Sequence, residues 1–289
     1  MRVSVNRLCW CGSGRSYAEC HKEFDERLAE LKRQGRRVPP RSLIKTAAQI
    51  ESIRKSAALN TAVLDEVASK ICAGVTTGDI DRWVYDYTVA HGGIPAPLNY
   101  EGFPKSVCTS RNNVVCHGIP SDTEVLQEGD IINVDCSTIL NGFFSDSSRS
   151  FCIGEVRPEW KKLVEDTKHS VEIGLEQVKP WEPIGNVGAA INAYANQCGY
   201  SVDREIGGHG VGLEFHEEPF VSFVSKAGTG MIMVPGMMFT IEPMINLGSC
   251  RFTVDRRNGW TVRTADGKPS AQWEIQVLVT DSGHEVISW

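Results

Sequence analysis

The second half of this chain repeats the first at an offset of 107 residues, and that self-similarity restricts the fold more than any other feature. Gly78, Asp79, Ile80, Val84, Tyr87 and Gly92 return as Gly185, Asn186, Val187, Ile191, Tyr194 and Gly199, marking two helices. Gly129 returns as Gly236, and Asp135 in DIINVD returns as Glu242 in MMFTIE, each carboxylate six residues beyond its glycine in an apolar strand. A second echo, at an offset of 99, pairs His117-Gly118-Ile119-Pro120 with His216-Glu217-Glu218-Pro219. Glycine and aliphatic matches arise cheaply by chance, but the carboxylate and HxxP coincidences weigh against it. Halves related by a pseudo-two-fold axis would set Asp135 and Glu242 across one cleft, with the two histidines arranged likewise. Paired carboxylates in such a cleft suit a dinuclear metal site.

The local pattern around Asp135 points the same way. A strand through Asp135 reaches Leu140, Asn141-Gly142 follows, and a second strand runs from Phe143 to Ile153. Asn-Gly between such strands predicts a two-residue hairpin turn. Ser137 would then oppose Asp146, and Asp135 would share a face with Asp146 at about 7–8 Å between backbones. A slip of one residue would part them. Two like charges converging in a half-buried sheet need a cation. A solvent-facing edge hairpin fits Asp135 poorly, although Asp146 alone, within SDSSRS, suits a surface position.

Downstream, Gly207-Gly208-His209-Gly210-Val211-Gly212 carries a histidine in a glycine-rich loop. No phosphate-binding lysine follows, so the glycines are read as delivering His209 into a cleft. Glu242 in FTIEPM and Glu274 in AQWEIQVLV are acids inside apolar runs, which need partners. Four carboxylates and one His favour Mn²⁺, Fe²⁺ or Co²⁺ over thiolate-type zinc.

Charge divides the chain. Residues 1–45 hold eleven Lys/Arg against five acids, a surplus of +6, while the whole chain is −6. The remaining body is therefore strongly acidic, and the two parts are expected to meet different partners. Cys9, Cys11, Cys20 and His21 form C-x-C, eight residues, then C-H, a spacing suited to tetrahedral Zn²⁺. CGSGRSYAECH resembles the SEC-C zinc motif. A basic stretch with Gly35, Pro39 and Pro40 follows and reads as a tether. Thr46 to Gln49 then forms a capping box that opens the body. With 41% hydrophobic and 23% charged residues over 289 positions, the composition is globular and excludes a disordered chain. The most apolar stretch, Met231 to Leu247, is broken by Pro235, Glu242 and Pro243, so no membrane span is expected. No secretory leader is visible, and a cytoplasmic location with reduced thiols is expected.

Residues 42–289 resemble a type I methionine aminopeptidase through SVCTSRNNVVCHGIP, IINVDCSTILNGFFSDSSRSF, GGHGVGLEFHEEP, FTIEPM and SAQWEIQVLVT, five motifs in order. The resemblance implies an α+β pita-bread (creatinase/aminopeptidase) fold with internal pseudo-two-fold symmetry, its central antiparallel sheet carrying helices on the outer face. It implies two divalent cations, Co²⁺, Mn²⁺ or Fe²⁺, with Asp135 on one, His209 and Glu242 on the other, and Asp146 and Glu274 bridging both. A bridging hydroxide would attack the carbonyl of an N-terminal methionine ahead of a small residue. Glu242 would take its proton, His117 would bind the amine side, and His216 would stabilise the oxyanion. Cys108, Phe215 and Trp260, with Tyr100 and Phe103, would hold the methionine side chain. Pro97 and Phe103 depart from the Cys and Tyr usual at the pocket rim.

The resulting expectation is a zinc extension over 1–31, a linker over 32–41 and a catalytic domain over 42–289. The protein would act on nascent polypeptides as a monomer, with ribosome docking through the extension. Two alternatives share the fold: a prolidase or aminopeptidase P, which normally carries a large preceding domain, and a non-catalytic binder, which would lack metal ligands that are all present here.

Overall fold

The computed structural model describes residues 7–289; residues 1–6, the head of the expected extension 1–31, lie outside the described residues. Ser16 accepts the amide of Glu19 and caps the one-turn α1 (Tyr17–Cys20), and α2 (Lys22–Arg33) follows directly. The stretch expected as a tether, 32–41, is largely exposed but touches the body at several points. Its first two residues complete α2, the carbonyl of Arg37 accepts the amide of Ile232 at 2.8 Å, and Pro39 is buried. Arginines that composition marks as solvated find acceptors here: Arg37 reaches Glu218 and Arg41 reaches Asp25.

Two reciprocal capping boxes start the body. Thr46 with Gln49 opens α3 (Ala47–Ala68), and Thr76 with Asp79 opens α4 (Thr77–Ala90). In the second half, Pro158 at the first turn starts α5 (Pro158–Leu175), and α6 (Gly185–Gln197) follows. Moving α3 and α4 by 107 residues ends them on the last residues of α5 and α6, so the echo in the sequence is an echo of elements.

The first-half strands are β1 (Ile94–Pro95), β2 (Cys108–Arg111), β3 (Val114–Cys116), β4 (Ile131–Leu140) and β5 (Phe143–Cys152). Then come β6 (Ser201–Val202), β7 (Gly208–Gly210), β8 (Glu217–Val221), β9 (Met238–Ile241) and β10 (Met244–Asn246). The chain closes with β11 (Phe252–Val254), β12 (Val262–Thr264), β13 (Ser270–Gln272), β14 (Ile275–Val279) and β15 (His284–Ser288). All named strand pairs are antiparallel, and the sheet divides into four ladders. In one, β4 lies between β1 and β2 and pairs with β5; in the largest, the order is β15-β14-β9-β7-β8. A single bridge between Ser148 and Glu274 joins these two ladders at the centre of the molecule.

Apolar faces of the helices cover the outside of the strands. Val63, Leu64, Ile80 and Val84 from α3 and α4 pack on Ile132 and Val134, while Leu163, Val171, Val187 and Ile191 from α5 and α6 pack with Phe223, Phe239 and Ile241. Each half thus has its own core, with large side chains such as Leu64 and Ile191 wholly buried. Truncating either to Ala would cost about 2–5 kcal/mol. Among the described residues no helix is long and apolar enough to cross a membrane.

Candidate metal centre

Asn141 and Gly142 both take positive φ, 52° and 81°, the backbone of a tight hairpin whose twist matches its strands. The register that turn sets places Ser137 opposite Asp146 and Asp135 opposite Ser148. Asp135 and Asp146 therefore share the face that the sequence predicts. Glu274 sits across the bridge from Ser148, on the far side of the β4–β5 hairpin. β9 pairs with β14 through Ile241 and Ile275, so the next residues along that ladder, Glu242 and Glu274, also come together. His209 stands in the short strand β7, which pairs with β9 at Phe239. A Cβ on Gly208 would run into the Thr240 carbonyl and one on Gly210 into that of Glu218; glycine is what lets His209 be carried this close.

All five ligand-type side chains line one cleft of about 600 Å³. His209 Nε2 lies 3.5 Å from Asp146 Oδ2 and 3.5 Å from Glu242 Oε1. Ligand atoms of Asp146, His209 and Glu274 lie within 4.8 Å of one another. Asp146, Glu242 and Glu274 are buried, while Asp135 opens partly to the cleft.

Burial pushes the carboxyls up: Asp135 to about 7 and Glu242 to about 8, with Asp146 and Glu274 also raised by their acidic neighbours. Among the described residues that line the cleft none is Lys or Arg, so no cation of the chain offsets the four acids there. The same burial depresses His209 to about 3 and His117 to about 4, which leaves neutral imidazoles. Four oxygen donors and a neutral nitrogen, with no internal counter-charge, fit divalent cations.

A further set of polar residues, which sequence reasoning missed, orients these groups. Ser137 Oγ donates to Asp146 Oδ1 at 2.7 Å, Thr240 Oγ1 to Glu242 Oε1 at 2.6 Å and Gln272 Nε2 to Glu242 Oε2 at 3.2 Å. The Thr240 hydroxyl also accepts the amide of His209 at 3.0 Å. Period-two spacing offered a signal: Ser137, Thr240 and Gln272 each lie two residues from a carboxylate and so share its face.

His117 and His216 line the same cleft. His117 takes φ 54°, an uncommon backbone for a non-glycine residue, and its ring meets Trp260 edge-on at 5.9 Å. His216 Nδ1 is 3.0 Å from the Tyr100 hydroxyl. Cys108, Tyr100, Phe103, Phe215 and Trp260 form an apolar wall, Phe103 against Trp260 at 5.3 Å and Tyr100 against Phe215 at 4.9 Å. Burial raises the Cys108 thiol well above its ordinary range and keeps it neutral. Pro97 stands at the rim.

A second cluster lies in the extension. The ligand atoms of Cys9, Cys11, Cys20 and His21 lie within 4.8 Å of one another, and His21 Nδ1 is 3.1 Å from the sulfurs of both Cys9 and Cys20. Burial lifts Cys9 to about 11; for Cys11, burial is outweighed by hydrogen bonds from Ser13 and the neighbouring thiols, which bring it to about 7. Aromatic contacts fasten the cluster to the body. Trp10 packs on His21, His21 on Phe24 and Phe24 on Trp181, with Arg27 over the Trp181 ring at 4.1 Å and Arg41 over Trp10 at 4.6 Å.

Comparison with known proteins follows the same division. Residues 51–281 match the family model for metallopeptidase family M24, and residues 6–23 match the SEC-C motif. A methionine aminopeptidase of Chlamydia muridarum is 42% identical over 286 residues, covering 98% of both chains. Methionine aminopeptidase A of Synechocystis is 46% identical over 240 residues, 83% of this chain and 94% of the relative. The crystal structure of methionine aminopeptidase from Rickettsia prowazekii superposes with a TM-score of 0.83 at 40% identity, covering 85% of this chain and 99% of the other.

Proposed function

The chain belongs to metallopeptidase family M24 as a metal-dependent methionine aminopeptidase, and on that premise we propose how its cleft performs the hydrolysis. The observation that carries the reading is the meeting of five metal-ligand side chains, two histidines and an apolar pocket in one cleft. In this reading Asp135, Asp146, His209, Glu242 and Glu274 hold two divalent cations, for which Co²⁺, Mn²⁺ and Fe²⁺ suit the donors. Such cations supply Lewis acidity and a water that ionises near neutral pH.

The side chains do the rest. The methionine side chain enters between Cys108, Phe103, Tyr100, Phe215 and Trp260, where aromatic and sulfur walls match a polarizable thioether. His117, preset by its left-handed backbone, meets the amine side of the substrate and orients the scissile amide. Tyr100 donates to His216 Nδ1, which leaves the proton on Nε2 to hydrogen-bond the scissile carbonyl and the oxyanion that develops there. A carboxylate oxygen of Glu242, steadied by Thr240 and Gln272, takes the proton released from the attacking water. A confined cleft favours a small second residue, as on nascent polypeptides in the cytoplasm, with the enzyme acting as a monomer.

Asp135→Asn and Glu242→Gln test the centre on Met-Ala-Ser. Both are expected to lose bound divalent metal and activity; full retention of both properties discards the assignment. An Xaa-Pro peptide turned over faster than Met-Ala-Ser would move the enzyme to the prolidases.

For the extension we infer a structural Zn²⁺ on Cys9, Cys11, Cys20 and His21, and docking near the ribosomal exit through its basic surface. Ribosome co-sedimentation with and without residues 1–41 tests the docking, and equal binding discards it.

A further inference from the structure

Both glutamates that follow His216 are met by cations from the segment that leads the chain into the body. Lys45 Nζ lies 2.6 Å from Glu217 Oε2, the two side chains being 1% and 8% exposed. The other oxygen of Glu217 accepts the amides of Leu213 at 2.7 Å and Glu214 at 3.1 Å. Glu217 thereby closes the loop 213–217, which carries Phe215 and His216. Lys45 lies directly under that loop: a Cβ on Gly212 would stand 3.5 Å from Lys45 Cε. The lysine is itself fixed, its amide donating to the Gly236 carbonyl at 2.9 Å between buried Ile44 and the cap of α3. Arg37 and Glu218, 2.9 Å apart but mostly exposed, form a weaker second tie.

A buried ion pair adds little to stability over an apolar pair of similar volume, because desolvation offsets the attraction. Fold stability alone therefore does not call for Lys45. What the pair does supply is a fixed place for the peptide between Leu213 and Glu217. We propose that Lys45 is a positioning residue for the reaction, acting through Glu217 to hold His216 at the scissile carbonyl and Phe215 against the methionine side chain. The inference rests on the reading of His216 as the group that binds that carbonyl.

The test is a double-mutant cycle in the full-length, divalent-loaded enzyme on Met-Ala-Ser. Lys45→Met is expected to lower kcat by about 10- to 100-fold, the scale of a displaced contact, with metal content near wild type and a lowered Tm, since Glu217 is left buried without its partner. Lys45→Arg is expected to recover part of the loss. Combined with His216→Ala, Lys45→Met should lower kcat at most about twofold more, since His216 is already gone, while the share that acts through Phe215 shows in KM. Fold-losses that multiply in the double variant overturn the inference while leaving His216 in its role. A His216→Ala enzyme as fast as wild type overturns that role and the inference with it. Should Lys45→Met fold poorly, Glu217→Gln serves in the same cycle, because its amide oxygen still accepts from Leu213 and Glu214 while the charge is gone.

Discussion

In the proposed arrangement Tyr100 donates to Nδ1 of His216, whose ring is made less basic by partial desolvation, and the N–H on Nε2 is left for the substrate. Hydrogen bonds aimed at a developing oxyanion in a water-poor site are worth far more than the same bonds in water. His216→Ala is therefore expected to lower kcat by about 10²- to 10³-fold without releasing metal, measured by steady-state kinetics beside metal analysis. Trp260→Ala should act differently. It removes a pocket wall shared with Phe103, so KM for Met-Ala-Ser rises by about 10-fold or more, the scale of losing a large apolar contact. The histidines were legible in the sequence because each sits in an HxxP echo, and the carboxylates because each interrupts an apolar run. The bond between Tyr100 and His216 was not: its partners are 116 residues apart, and no local pattern pairs them. Nor was Lys45, which reads as one more cation of a basic leader until the fold buries it.

At the scale of elements, local chemistry gives a quantitative handle. The Asp79 carboxyl accepts from the Thr76 hydroxyl and amide and from Arg82, and these bonds hold it at about 2 against an ordinary 3.8. A carboxyl depressed in the fold contributes stability that is full above its unfolded pKa and is lost as pH falls through its folded one. The stability gap between wild type and Asp79→Asn is thus expected to be full above pH 4 and to close toward pH 2, measured by denaturant unfolding at stepped pH. Thr76→Ala removes the other half of the box and should cost about 1 kcal/mol at neutral pH. The same local signals made much of the fold readable. The Thr46–Gln49 capping box starts α3 where its residues stand, and Asn141-Gly142 sets the register that brings Asp135 and Asp146 to one face; the Thr76–Asp79 box was seen only in the structure. The echo is inexact in the strands as well. Its first-half strand, β4, is continuous over ten residues, whereas the second-half counterpart splits into β9 and β10 because Pro243 has no amide for the ladder.

The molecule as a whole joins two metal-type clusters of different chemistry: three cysteines and a histidine in a basic extension, and carboxylates with a histidine in an acidic body. Composition reads 32–41 as a flexible link between them, since glycine, proline and charge are the usual ingredients of a tether. The fold adds contacts to distant residues on either side of and within that stretch: Phe24 and Arg27 on Trp181, and Arg37 on Ile232 and Glu218. These contacts come from α2 and the strap beyond it; the cysteine loop adds Trp10, under Arg41, and His21 against Phe24, and neither side chain is removed when the cysteines are changed, so emptying the loop should leave the strap in place. A Cys9→Ser/Cys11→Ser variant is accordingly expected to lose one zinc per chain while its cleft metal and its kcat/KM on Met-Ala-Ser stay within about twofold of wild type, the spread expected of sites that share no partner. Metal analysis beside kinetics on anaerobically purified protein checks both halves at once. Unchanged zinc would remove the metal from the extension, and lost cleft metal would mean that the two centres are coupled through the strap.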